Sequence, residues 1–170
     1  MKVAILVAPR DFKDETVSHL QLLLGKKDIE SHIVSLTMKP CTGYHGAVVK
    51  PEMETAAIEA GAFDVLLVVD GPGVDSLKLY DYRPLLDLVR AFHEANKSVA
   101  GIGNGVKIVA RANIIKDASI AKADDETEKL VRLYRGKPSE NLVVADKGII
   151  TASGVESVDE LVSVLQSAAQ

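Results

Sequence analysis

Val99-Ala100-Gly101-Ile102-Gly103-Asn104-Gly105-Val106 decides how this chain is to be read. A short apolar run ends on a glycine-rich turn, and the turn leads straight into a second apolar segment carrying Ile108, Val109 and Ala112. Strand, tight turn and helix in that order form the layout of a nucleophile elbow, in which a strained turn lifts one side chain above a sheet beside free backbone N–H groups. The apex of this turn is Gly103, which has no side chain to lift.

Reading outward, Val3-Ala4-Ile5-Leu6-Val7 and Val65-Leu66-Leu67-Val68-Val69 repeat the pattern of a continuous apolar run followed by a turn signal. Such runs suit parallel strands covered on both faces. Helical spacing lies between and after them. Val17, Leu20, Leu23 and Leu24 follow the possible caps Asp11 and Asp14, and Leu85, Leu88, Val89 and Phe92 follow Pro84, a residue favoured in a first turn. Further helices are expected from about Glu126 to Tyr134 and around Val158, Leu161, Val162 and Leu165. Leu142 to Ala145, then Asp146-Lys147-Gly148, then Ile149 to Thr151 reads as a late β-hairpin. The alternation predicts an α/β fold, a flavodoxin-like doubly wound and mostly parallel sheet with the hairpin near an edge. No linker, repeat or low-complexity tract divides the chain, so residues 1–170 are expected to form one domain.

Composition narrows the function classes. The formal charge of −4 argues against a phosphate-driven nucleic-acid binder. The single cysteine, Cys41, can form no intramolecular disulfide, which fits a reducing compartment. The apolar start stops at Pro9-Arg10-Asp11, without the longer apolar region and cleavage site of a signal peptide, and no stretch approaches a membrane-spanning length. A cytoplasmic protein with no membrane partner is expected. His45 lacks neighbouring Cys or His at metal spacing, so it reads as a structural histidine, and no metal or cofactor is expected.

The elbow and its surroundings together resemble the ThiJ/PfpI superfamily, of class I glutamine amidotransferase-like fold, which includes PfpI-type intracellular proteases and DJ-type glyoxalase/deglycase proteins. Val99 to Gly105 matches the hydrophobic frame and final glycine of that family's Val-Ala-x-Ile-Cys-His-Gly strand. Lys2 to Leu6, Phe12 with Asp14, His45 to Val49, Phe63 to Leu66 and Val143 to Ala152 resemble further family segments in the right order, over nearly the whole chain.

The departures fall on the positions that the resemblance makes functional. Gly103 stands where the family has its nucleophilic Cys, and Asn104 where it has the adjacent His. Lys13, or Thr16 if the turn is shifted, matches the family's acidic residue. Asp70-Gly71 replaces a Gly-Gly whose amides help to form an anion-binding corner, and Asp75 matches an acid that reaches a neighbouring subunit's site in PfpI-like oligomers. Glycine supplies no thiolate, and asparagine accepts no proton near neutral pH. The resemblance therefore implies a catalytically degenerate member that binds a small ligand or partner, as a homodimer or larger homo-oligomer. Its pocket candidates are Lys13, Thr16, Asp70, Gly71, Asp75 and Gly105, with a small anionic or carbonyl ligand. The alternative is a PfpI-type peptidase or glyoxalase/deglycase-like enzyme whose site is rebuilt around Lys13, Asp70 and Asp75. Lys13 is expected either to pair with Asp70 or Asp75 across the pocket mouth or to be a solvated loop lysine.

Two other readings of the elbow are weaker. A dinucleotide fingerprint G-x-G-x-x-G needs its third glycine at position 106, which is Val106, and belongs on a first βαβ unit. A glutamine amidotransferase needs a His beyond the elbow, whereas His19, His32, His45 and His93 all precede it. Asp124-Asp125-Glu126 is expected to cap its helix, and Cys41 to be an incidental, partly buried loop thiol.

Overall fold

The three apolar runs are the centre of the molecule. In a computed structural model describing residues 1–168, Ala4, Ile5, Leu66, Leu67, Val99 and Ala100 are all fully buried. The elements that surround them follow one another as β1 (Lys2–Leu6), β2 (Arg10–Phe12), α1 (Asp14–Lys26), β3 (Glu30–Ser35), β4 (Cys41–Gly43), β5 (Val48–Val49) and β6 (Met53–Glu54). Next come β7 (Val65–Val68), α2 (Pro72–Ser76), α3 (Arg83–Glu94), β8 (Ser98–Ile102), α4 (Val106–Arg111) and β9 (Ser119–Ile120). The chain continues through α5 (Asp125–Leu133), β10 (Lys137–Pro138), β11 (Val143–Asp146), β12 (Ile149–Ala152) and α6 (Val158–Ala168).

A seven-stranded sheet runs in the order β11-β12-β8-β7-β1-β3-β6. Every neighbouring pair is parallel except β11 with β12, so the sheet is the doubly wound, mostly parallel one that the apolar runs imply. The antiparallel pair is the expected hairpin, closed by Lys147-Gly148 with both residues at positive φ, and it places β11 at the edge. Chain order moves one way from β1 to β3 and the other way from β7 to β8 and β12. Right-handed crossovers therefore set α1 and α3 on opposite faces of the sheet. On its face, α1 packs against α6. On the other, α3 packs against α4 and lies over β7 and β8.

The helices bury the stripes that their spacing requires. Val158, Leu161, Val162 and Leu165 of α6 are at most 1% exposed, as are Leu85, Val89 and Phe92 of α3. Each such side chain contributes about 1.5–3 kcal/mol on burial. Asp124 caps α5 as expected, its carboxylate accepting from the Thr127 amide at 2.8 Å. One strand of the main sheet, β3 next to the β6 edge, escaped the periodicity reading. The outer half of β3 is Glu30-Ser31-His32, exposed or half-buried, so only Ile33, Val34 and Ser35 enter the core. Cys41 is not on a loop but on β4 in a small separate sheet with β2 and β5, and is fully buried. Among the described residues no helix is long and apolar enough to cross a membrane.

Candidate functional site

Strand order reverses between β1 and β7, and the crevice beyond the carboxyl ends of strands at such a switch point is where doubly wound sheets bind ligands. A cavity of about 680 Å³ opens there. Its floor is built from the turns after β7 and β8, its walls from the chain after β2, the start of α5 and the turn after β12.

Gly103 sits on the floor with φ +52°, the left-handed conformation expected of the elbow. The direction in which a side chain would leave Gly103 is already occupied. A Cβ there would come within 2.9 Å of Asp70 Oδ2 and 3.0 Å of Asp70 Cβ. Gly71, at φ +143°, is as constrained: a Cβ on it would lie 2.5 Å from the Asp11 carbonyl oxygen and 2.7 Å from the Lys13 nitrogen. The backbone N–H of Lys13 donates to the Asp70 carbonyl at 2.9 Å, so the chain after β2 is laced onto the turn after β7.

Asp70 is only 6% exposed, and its Oδ1 is buried without a hydrogen-bond partner. Burial pushes its carboxyl above the ordinary carboxylate range. The neighbouring Thr16 hydroxyl and Lys13 ammonium favour the charged form without outweighing burial, and the Glu156 carboxylate adds to the rise.

Asn104 acts as a clasp. Its Oδ1 accepts from the Gly71 N–H at 2.9 Å, and its Nδ2 donates to the Gly71 carbonyl at 2.8 Å and to Asp75 Oδ2 at 3.2 Å. The Gly71 amide, expected to face an anion, is therefore already used inside the protein. Asp75 continues the network: its Oδ1 accepts from Lys107 Nζ at 2.7 Å, and the same ammonium donates to Glu126 Oε2 at 3.2 Å. The Lys107 side chain is 7% exposed, and its ammonium lies 5.7 Å from the centroid of the Tyr80 ring. Burial alone would lower the Lys107 pKa, but the Asp75 and Glu126 carboxylates hold it above the ordinary lysine value.

The rim is shaped by a second buttress. Asp14, at the start of α1, accepts from the backbone N–H groups of His45 at 2.8 Å and Ala47 at 2.9 Å. Burial would raise the Asp14 carboxyl, but these amides outweigh it and hold it below its usual value. The loop they fix puts Tyr44 and His45 on the cavity wall, the two rings edge to face at 5.1 Å. Opposite them, Glu156 Oε1 accepts from the Ser153 hydroxyl at 2.9 Å after β12.

The structure thus brings Lys13, Asp70, Gly71, Asp75, Gly103 and Asn104 to one cavity. It leaves Thr16 and Gly105 off the wall: Thr16 is on the buried face of α1, and Gly105 is packed under the turn against the Val68 carbonyl. The ion pair between Lys13 and Asp70 or Asp75 is not formed, because Asp75 is bound to Lys107; Lys13 makes no ion pair among the described residues. Lys107, Glu126, Tyr44, His45, Ser153 and Glu156 join the site unannounced. Lys107 was hidden by its place in the apolar segment of α4. A lysine among buried positions is itself a signal, since it must find carboxylate partners. Cys41 does not line the cavity, so the wall carries no thiol among the described residues.

Known proteins share this frame. The chain is 28% identical over 156 residues to the uncharacterized protein MJ0967 of Methanocaldococcus jannaschii, covering 89% of this chain and 74% of that protein. The crystal structure of a ThiJ/PfpI domain protein from Brachyspira murdochii superposes with a TM-score of 0.89 at 25% identity, over 98% of this chain and 96% of that one. The putative protease I of Bacteroides thetaiotaomicron superposes at 0.87 with 16% identity over 99% of both chains, a likeness of fold alone. A model of the DJ-1/PfpI family matches residues 1–167, and the chain belongs to the DJ-1/PfpI family.

Proposed function

We propose that this DJ-1/PfpI protein is a catalytically degenerate member that binds a small polar ligand above Gly103, in the cytoplasm and as a homodimer or larger assembly, without thiol chemistry. One observation carries the reading: the Asp70 side chain crowds the place where a side chain on residue 103 would begin, its Oδ2 2.9 Å from that Cβ position. The loss of a nucleophile is thereby matched by a neighbour that fills its place. Asn104, the residue beside it, is spent on backbone and on Asp75 and has no proton to exchange near neutral pH. Assays of purified protein for glyoxalase, deglycase and peptidase turnover test the reading, with sedimentation analysis for the assembly. Turnover above the uncatalysed rate that survives Cys41→Ser and is abolished by Lys13→Ala would sink it.

That last outcome belongs to the second reading, an enzyme with a rebuilt site around Lys13, Asp70 and Asp75. Its support is that Lys13 is a cavity ammonium with no carboxylate within 4.0 Å among the described residues, open to a carbonyl ligand. Borohydride reduction in the presence of methylglyoxal tests it by mass spectrometry: a covalent adduct on Lys13 supports it and an unmodified Lys13 removes it. Asp75 is a weak participant, being held by Lys107 and Asn104.

A further inference from the structure

We infer that the cavity above Gly103 selects a small cationic ligand, an amine or guanidinium compound, held between Asp70 on the floor and the acidic wall made by Glu156 and the start of α5. The inference rests on the reading of this cavity as a ligand site and names the chemistry it would accept.

Charge is the first observation. The wall carries the carboxylates of Asp70, Asp75, Asp124, Asp125, Glu126 and Glu156 against the ammonium groups of Lys13 and Lys107, an excess as large as the formal −4 of the whole 170-residue chain. Lys107 is consumed by Asp75 and Glu126, so it offers nothing to an incoming anion. The Gly71 amide is likewise closed to anions by Asn104. A concave, low-dielectric wall of one sign focuses its field into the cavity, attracting cations and repelling anions.

The second observation is independent of the cluster and concerns Asp70 itself. It is 94% buried by its 6% exposure, borders the cavity, and has Oδ1 buried with no donor inside the protein. The Thr16 hydroxyl and the Lys13 ammonium favour its charged form without outweighing burial, and a buried polar group left short of partners calls for an explanation. Oδ1 is closed to solvent, so a donor arriving from the cavity side bonds the other oxygen, the Oδ2 that overhangs Gly103 and has no hydrogen bond of its own among the described residues. The exposed Tyr44 ring at the rim adds a face on which a cation can rest. Among the described residues no three His, Cys, Asp or Glu side chains converge to hold a metal ion. The carboxylates are spread along the walls, which suits an extended organic cation better than a point charge.

The test uses 1,4-diaminobutane and, as its anionic counterpart, succinate, each titrated at matched low ionic strength into the ¹⁵N-labelled full chain and followed at backbone amides. Expected are saturable shifts with the diamine at Gly71, Gly103 and Gly154 and none with succinate. Asp70→Asn should weaken the diamine at least tenfold, Glu156→Gln several-fold, and Lys13→Gln, by removing the competing cation, should tighten it several-fold. The opposite signs of the Asp70 and Lys13 effects separate charge selection from damage to the fold. Saturable shifts with succinate and not the diamine would overturn the cationic assignment while leaving ligand binding intact. Failure of the diamine to shift these amides, or unchanged affinity in Asp70→Asn and Glu156→Gln, would overturn it as well. Carbonyl or peptide turnover would instead strike the reading beneath it.

Discussion

The Asn104 carboxamide holds both backbone polar groups of Gly71, accepting from the N–H at 2.9 Å and donating to the carbonyl at 2.8 Å. Two turns that end neighbouring strands, β7 and β8, are thereby joined by one side chain placed like an extra rung of the sheet. The clasp ties the cavity floor into a single piece.

Asn104→Ala removes that rung and leaves both Gly71 groups without their partner. Each net hydrogen bond contributes about 1 kcal/mol, and stranding a buried partner costs about 1–3 kcal/mol, so a total loss of roughly 2–3 kcal/mol is expected in urea denaturation. Asn104→Asp can still accept from the N–H but sets a carboxylate against the Gly71 carbonyl and Asp75. Its loss at neutral pH should exceed its loss below the carboxylate range, where the new group is protonated.

Lys107 sits between two carboxylates of unequal exposure, Asp75 at 43% and Glu126 at 80%. Removing one partner of a buried ion pair costs about 3–5 kcal/mol, but hydration of the two exposed acids moderates the cost. Lys107→Met keeps most of the packing, and about 2 kcal/mol of destabilisation is expected from it. The pH dependence follows from the raised pKa of Lys107. Its contribution is fully present below the ordinary lysine value, about 10.4, and is lost as pH rises through the higher folded value. Denaturation curves of the native protein and the variant should accordingly converge only at strongly alkaline pH.

Asp70 has the opposite consequence for its variant. With its folded pKa raised, its contribution is fully present below the ordinary value for aspartate, about 3.9, and is lost as pH rises through the folded value. Above that value the folded state carries an ionised, poorly solvated carboxylate. Asp70→Asn should therefore raise stability by about 1 kcal/mol at pH 7 and by nothing near pH 3. A destabilising Asp70→Asn at pH 7 would show that the carboxylate is compensated within the fold.

The geometry at Gly103 also dictates how a thiol site could be restored. Gly103→Cys with Asn104→His places a Cβ 2.9 Å from Asp70 Oδ2 in a left-handed backbone and cuts the clasp on Gly71. The double variant should be destabilised, and its new thiol should react slowly with Ellman's reagent. Adding Asp70→Gly clears the carboxylate and should give one fast-reacting thiol over the slow background of Cys41. That background is slow because Cys41 is fully buried and its burial raises its pKa. Equal thiol rates in the double and triple variants would show that Asp70 is no obstacle.

The fold was legible because its signals are local. Runs such as Val65 to Val69, stripes such as Val158, Leu161, Val162 and Leu165, and the two-residue turn Lys147-Gly148 each declare their element within a few residues. The strand β3 was not, because half of it lies outside the core and carries polar residues. The positions flanking the cavity floor were legible through the order of anchors along the chain, which placed Asp70, Gly71, Gly103 and Asn104 at adjacent strand ends. Thr16 and Gly105 looked like lining by the same logic, and only packing turns them inward.

By itself, then, the sequence determined the parallel sheet, its hairpin edge and the absence of a nucleophile at Gly103, since hydrophobic periodicity and a missing side chain need no partner to be read. Tertiary structure decided the rest: that Asp70 overhangs Gly103, that Asn104 grips Gly71, and that Asp75 pairs with Lys107 and not with Lys13. Those outcomes depend on which charged groups meet across 30 or more residues of chain once the sheet forms. Coulomb energy and desolvation vary with distances of a few ångström, which sequence spacing does not carry.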